Sequence, residues 1–375
     1  MSFARMRSGL LNRRHTLLAA LSGGIAAACG TAMAAPDMEA IRDALKKAVG
    51  AGGQVAGMIA VAIDADGATS MVSYGSADGA ALDGDTVFPI MSNTKIFTSL
   101  LLADMAARGE VAFDDPVAKY LPVTLPVTGR PVTLVDLATY TSGLPVMPGN
   151  INMEAPGDYT EAMLFENLAG AAPKYEAGTH YLYANLAFGL LGIALARRAA
   201  KSYEALVMER ICAPLGLSHT RITLSGEMKP HLVTGHEVSL KPATPWNVPV
   251  MPGMASLCSN AKDLTIFLKA CMGPSSLRGP LARLTQTRRP TSLAGTEAGL
   301  GWFITTAGGE EIVWKTGLGS GCNTFIGFSP QRRQAAIVLT NFLWLPIDTG
   351  TTNIGMKMIK PDFQAMDFRT LYPFG

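Results

Sequence analysis

Ser92 and Lys95 stand three residues apart where a β-like apolar run, Phe88-Pro-Ile-Met91, gives way to a helical one carrying Leu100, Leu101, Leu102, Met105 and Ala106. At a helix start that spacing puts both side chains on one face, about one turn apart. A serine hydroxyl is a weak nucleophile until a neighbour takes its proton, and a lysine amine can do this once burial or nearby cations lower its pKa. The pair alone is a weak signal, since about one Ser-x-x-Lys match is expected by chance in a chain this rich in both residues. A second match, Ser259-Asn-Ala-Lys262, reads as a helix N-cap ahead of Asp263-Leu264.

Two more elements separate Ser92 from its duplicate. Tyr183-Ala-Asn185 precedes an apolar helix and is the only Tyr-x-Asn in the chain. Lys315-Thr-Gly317 ends a strand and is also unique. Each has a plain structural reading: a packed tyrosine beside a helix-capping asparagine, and a strand edge with a turn glycine. Together, 91 and 132 residues apart in this order, the three elements are much harder to dismiss than any one alone.

The elements that have to position them follow from periodicity. Residues 37–49 carry a helical pattern that Gly50, Gly52 and Gly53 end. Residues 55–63 and 68–74, joined by Asp64-Ala-Asp-Gly67, form a hairpin. Helices are expected after Ser92 as far as Gly109, over 133–140 with a cap at Thr133, and over 160–168, 186–199, 202–211 and 259–272. After Leu300 the pattern turns to strands over 301–306, 311–315, 323–328 and 335–341, and a helix over 351–359 closes the chain. Strands at both ends and helices between predict an α/β (α+β) fold. One antiparallel sheet, built from residues 35–98 and 290–375 and flanked by helices, would carry an inserted, mainly helical lobe of residues 99–289.

With its three elements in place, the chain resembles the penicillin-recognising serine hydrolases, and within them the class C β-lactamase group, which also holds D-Ala-D-Ala peptidases and esterases. Supporting segments run from Asp37 to Asn341. They include Thr141-Ser-Gly-Leu-Pro145, Pro252-Gly-Met-Ala-Ser256, Gly299-Leu-Gly-Trp302 and Phe325-Ile-Gly-Phe-Ser-Pro330. The resemblance implies a β-lactamase/transpeptidase-like fold and acyl transfer through Ser92. Lys95 and Tyr183 would move the proton, the lysine cations favouring a tyrosinate-like state, with either as the base. Asn185 would bind a substrate amide, and Lys315 and Thr316 a carboxylate. Gly317 would let substrate lie along the strand edge, and the backbone N–H groups of Ser92 and Leu318 would form the oxyanion hole. Glu166-Asn-Leu168 looks like the deacylating motif of class A relatives, but it lies before Tyr183 and reads as a solvated helix residue. Dedicated class C cephalosporinases usually carry glycine before the nucleophile and often a small polar residue after Lys-Thr-Gly. Met91 and Leu318 stand there instead, which resembles the broader branch that includes AmpH-type peptidases.

Composition narrows the remaining classes. A hydrophobic content of 48% and a charged content of 16% fit a folded core rather than disorder. The first 34 residues hold Arg5, Arg7, Arg13 and Arg14 and no acid, so the remainder is slightly acidic although the whole chain is +2. That excludes a broad basic field for nucleic acid. The basic start, the run rich in Ala, Leu and Gly, and Ala32-Met-Ala34 read as an export signal, implying a periplasmic or secreted protein. Arg13-Arg14 fits twin-arginine export as well as an ordinary basic start, and Cys29 offers a rival lipoprotein cleavage. No later stretch is long and apolar enough to span a bilayer. Cys212, Cys258, Cys271 and Cys322 read as free thiols, and neither they nor the five histidines form a metal motif, so no metal or cofactor is expected. The expected partner is a small β-lactam or peptidoglycan peptide substrate met by a monomer. An esterase of the same fold and a non-catalytic penicillin-binding sensor are the alternatives.

Overall fold

The computed structural model describes residues 36–343 and 350–372; the expected export segment and Cys29 lie outside them. The chain opens with α1 (Met38–Val49), capped by the Asp37 carboxylate. The hairpin β1 (Gly57–Ile63) and β2 (Thr69–Ala77) follows, then the short β3 (Ala80–Ala81) and β4 (Val87–Pro89). The middle of the chain is mainly helical. It comprises α2 (Thr94–Ala107), α3 (Leu134–Ala138), α4 (Glu161–Gly170), α5 (Asn185–Ala199), α6 (Tyr203–Val207) and α7 (Ala213–Leu215). Then come β5 (Cys258–Asn260), α8 (Ala261–Met272) and α9 (Arg278–Gln286). Strands return as β6 (Arg289–Pro290), β7 (Thr296–Ala298), β8 (Phe303–Ala307), β9 (Glu310–Gly319), β10 (Cys322–Ser329) and β11 (Gln334–Thr340), before α10 (Thr351–Ile359).

The strands pair in the order β3-β2-β1-β11-β10-β9-β8-β7-β6, antiparallel throughout. The first long strand meets the last one, Met58 opposite Thr340, so the sheet is built from both ends of the chain. β1 and β11 are buried along their whole length because helices cover the sheet, which is why both read as continuous apolar runs. Helix α2 is buried from Thr94 to Met105 and packs against α5 and α9. A helix that apolar all round belongs inside the protein.

Several local expectations need correcting. Ser92 does not start the α-helix; it sits in a 3-10 turn, Met91–Asn93, that leads into α2. The cap of α8 is Asn260, whose side chain accepts from the Asp263 N–H, while Ser259 lies in β5. The helix expected over 202–211 breaks into α6 and a π turn, Met208–Cys212. Helix α9 was not anticipated because Gly279-Pro280 reads as a breaker, yet a proline is tolerated in the first turn, where its missing N–H costs nothing. Strands β6 and β7, two and three residues long, are too short to leave a periodic signal.

Candidate active site

The turn that carries Ser92 is fixed from three sides. Ile90 N–H donates to Leu257 O at 2.9 Å, Leu257 N–H donates to Thr94 Oγ1 at 3.1 Å, and Asn93 Nδ2 donates to Thr324 Oγ1 of β10 at 2.9 Å. Met91 takes φ +47°, a left-handed conformation costing a non-glycine residue of order 1 kcal/mol. That conformation gives a physical reason why glycine suits the position before such a serine. Gly317 of β9 presses on the same turn: a Cβ there would lie 2.2 Å from Ile90 O. The glycine is therefore needed for strand-to-turn packing, a requirement separate from the substrate clearance expected of it.

Ser92 is partly exposed, and its Oγ accepts from Lys95 Nζ at 2.9 Å and from the Tyr183 hydroxyl at 2.9 Å. Lys95 is fully buried; its Nζ also donates to Asn185 Oδ1 at 2.8 Å and to the Met254 carbonyl at 2.7 Å. Each of these three acceptors is neutral. Burial without a carboxylate penalises the ammonium, so the Lys95 pKa falls well below the usual lysine value. Burial acts on Tyr183 in the opposite sense, raising its pKa, with the Ser92 hydrogen bond pulling back only partly. The resting site thus favours a neutral phenol and disfavours the tyrosinate-like state expected from the two lysines.

Asn185 was weighed as a helix cap, but the cap of α5 is Ala184 and the Asn185 carbonyl goes to Lys95. Because only the amide oxygen can accept from Lys95 Nζ, the Oδ1 side is fixed and the Nδ2 group is left for other partners. The Met254 carbonyl reaches Lys95 because Gly253 lets its turn sit on α5, where an added Cβ would lie 2.8 Å from Phe188 O.

Lys315 is fully buried, 3.4 Å from the Tyr183 hydroxyl. The rings of Phe303, Tyr183, Tyr140 and Tyr372 stand 4.4, 4.6, 5.4 and 5.7 Å from its Nζ, a surround suited to a cation. Thr316 Oγ1 shares a hydrogen bond with the Tyr372 hydroxyl at 2.9 Å. Strand β8 stops pairing at Trp314, so the edge of β9 from Lys315 to Gly319 carries β10 on one side only. An open cleft of about 380 Å³ runs over Ser92, Asn185, Leu318 and Gly319, with Met147, Met153, Trp246 and Glu237 at its walls.

The structure therefore brings Ser92, Lys95, Tyr183, Asn185 and Lys315 together, with Thr316, Gly317 and Leu318 on the adjoining strand. The duplicate motif does not converge. Ser259 is buried against Thr220, and Lys262 is an exposed partner of Asp85. Glu166 is exposed on α4, away from the cleft lining. Tyr140, Phe303, Tyr372 and the Met254 carbonyl were missed.

A partly exposed serine hydroxyl held between a buried amine and a phenol is an arrangement able to carry acyl transfer. The chain belongs to the Beta-lactamase family, whose model matches residues 41–344. It is 31% identical over 283 residues to the D-alanyl-D-alanine-carboxypeptidase/endopeptidase AmpH of Escherichia coli, covering 68% of this chain and 71% of that one. A β-lactamase of Yersinia enterocolitica is 26% identical over 328 residues, covering 76% of this chain and 81% of the other. The fold is similar to that of a β-lactamase/D-alanine carboxypeptidase from Pseudomonas syringae, with a TM-score of 0.76 at 19% identity, covering 87% and 99% of the two chains. A class C β-lactamase mutant matches with a TM-score of 0.75 at 20% identity, covering 87% and 98%.

Proposed function

We propose that the chain hydrolyses amide bonds of β-lactams or of D-Ala-D-Ala-type peptides through an acyl-enzyme on Ser92. The observation that carries this is the convergence of Lys95 Nζ and the Tyr183 hydroxyl on one Ser92 oxygen, each at 2.9 Å. With Lys95 as free amine, two hydrogens go to Asn185 Oδ1 and Met254 O. Its lone pair then faces the Ser92 O–H and takes that proton as the oxygen attacks the carbonyl. As the C–N bond breaks, Tyr183 gives its proton to the leaving nitrogen and is reprotonated from Lys95; the Lys315 cation, 3.4 Å away, steadies the phenolate in between. Ser92 and Leu318 line one cleft, and their backbone N–H groups would receive the oxyanion. Lys315 and Thr316 would receive the carboxylate, and Asn185 Nδ2 an amide of the acyl part. Water then repeats the sequence in reverse and frees Ser92.

A carboxylesterase of the same fold is the second reading, favoured by the apolar cleft wall of Met147, Met153 and the exposed Leu318. The discriminating experiment follows D-alanine release from a peptide ending in D-Ala-D-Ala and ring opening of benzylpenicillin, beside hydrolysis of a p-nitrophenyl ester. Turnover or acylation by either amide, lost in Ser92→Ala, supports the first reading. Ester hydrolysis alone, with neither amide acylating Ser92, overturns it. Export through residues 1–34 is proposed from their basic start, apolar run and Ala-x-Ala end. Among the described residues no helix is long and apolar enough to cross a membrane.

A further inference from the structure

We propose that Tyr372, carried in by the C-terminal segment, gates the leaving-group side of the site and discriminates against leaving groups that bear a carboxylate. The proposal rests on the reading above that Lys315 and Thr316 receive that carboxylate.

The segment that brings Tyr372 in is fastened at three points. Phe368 is fully buried and stands edge-on to Trp314, ring centres 4.7 Å apart. The Tyr181 hydroxyl donates to Leu371 O at 2.7 Å, and Ser292 Oγ donates to Thr370 O at 2.5 Å. These ties set the Tyr372 phenol over the end of Lys-Thr-Gly. Its oxygen is 2.9 Å from Thr316 Oγ1, and its ring stands edge-on to Tyr183 at 5.0 Å. Thr316 is left 5% exposed and Lys315 is fully buried. The open cleft reaches Ser92, Asn185 and Leu318, whereas Lys315 and Thr316 are covered.

A charge-assisted hydrogen bond puts a carboxylate oxygen about 2.7–2.9 Å from its donor. An oxygen that close to both Thr316 Oγ1 and the Lys315 ammonium competes with the phenol for its place. A carboxylate-bearing leaving group must therefore swing Tyr372 aside, whereas a neutral one need not. Releasing the Thr316 hydrogen bond by itself costs about 1.4 kcal/mol, which is about tenfold in rate.

A matched pair of esters reads this directly: 3-carboxyphenyl acetate and phenyl acetate share an acyl group and differ only in the carboxylate. The readout is the ratio of their kcat/KM values on the full chain. Tyr372→Ala should raise the carboxylated-to-neutral ratio about tenfold. Tyr181→Phe, which frees Leu371 O without touching the site, should raise it in the same direction by a smaller factor. An unchanged ratio in Tyr372→Ala overturns the gate. A fall also overturns it, since it would make the phenol a donor to the substrate carboxylate. Failure of the underlying reading looks different: in the Tyr372→Ala background, Thr316→Val would then leave the carboxylated-to-neutral ratio unchanged, whereas a carboxylate receptor would lose part of it.

Discussion

Replacing Lys95 with methionine keeps the side-chain length and removes a group whose charge burial disfavours. Lys95 is fully buried among neutral acceptors, and its pKa lies well below the 10.5 of an unfolded lysine. Between those two pKa values the unfolded chain binds a proton that the folded chain does not. Stability therefore rises with pH across this window, with a limiting slope of about 1.4 kcal/mol per pH unit for one proton. Above 10.5 both states are neutral and the dependence ends. Lys95→Met lacks it, so the stability of wild type relative to Lys95→Met should climb by about 1 kcal/mol between about pH 8.5 and 9.5. Other lysines and tyrosines titrate in both proteins and cancel in the difference. The assay is urea denaturation of both proteins at matched pH, comparing midpoints and slopes. Acylation by wild type should rise over the same lowered pKa, since the base form reacts, and Lys95→Met should not acylate. A stability difference independent of pH would mean that Lys95 stays charged when folded, and the role of the free amine would fall.

Tyr183→Phe removes the hydroxyl but keeps the ring stacked on Tyr140 at 5.0 Å, so thermal stability should change by about 1 kcal/mol or less while acylation slows about 10²–10⁴-fold. Stopped-flow acylation within threefold of wild type would remove Tyr183 from the proton path. Gly317→Ala drives a Cβ to 2.2 Å from Ile90 O, so β9 has to move off the Ser92 turn; acylation should fall more than tenfold, with a loss of about 1–3 kcal/mol in denaturant titration. Ser259→Ala loses one buried hydrogen bond to Thr220, about 1 kcal/mol, and should acylate at the wild-type rate.

The three motifs were legible because each is a short local peptide whose neighbours in sequence are also neighbours in space. The two-ended sheet was legible for a similar reason, since β1 and β11 are apolar on both faces and stand at opposite ends of the chain. What remained hidden depends on backbone or on distant packing. The third acceptor of Lys95 is the Met254 carbonyl, and a carbonyl has no residue letter to mark it. The cage of Lys315 gathers Tyr140, Tyr183, Phe303 and Tyr372 from four separate segments, none of which carries a periodic signal for it. The oddity of Met91 before Ser92 was visible, but the left-handed φ of +47° that makes it odd was not. The sequence records the two lysines near Tyr183 but not the burial that raises its pKa.

The central claim is that Ser92 is the acylated nucleophile. Its direct test is intact-protein mass spectrometry after brief exposure to benzylpenicillin, with peptide mapping of any adduct. The account predicts one penicilloyl group on the peptide carrying Ser92, absent from Ser92→Ala and retained by Ser259→Ala. An adduct on any other residue, or one that survives Ser92→Ala, would contradict it.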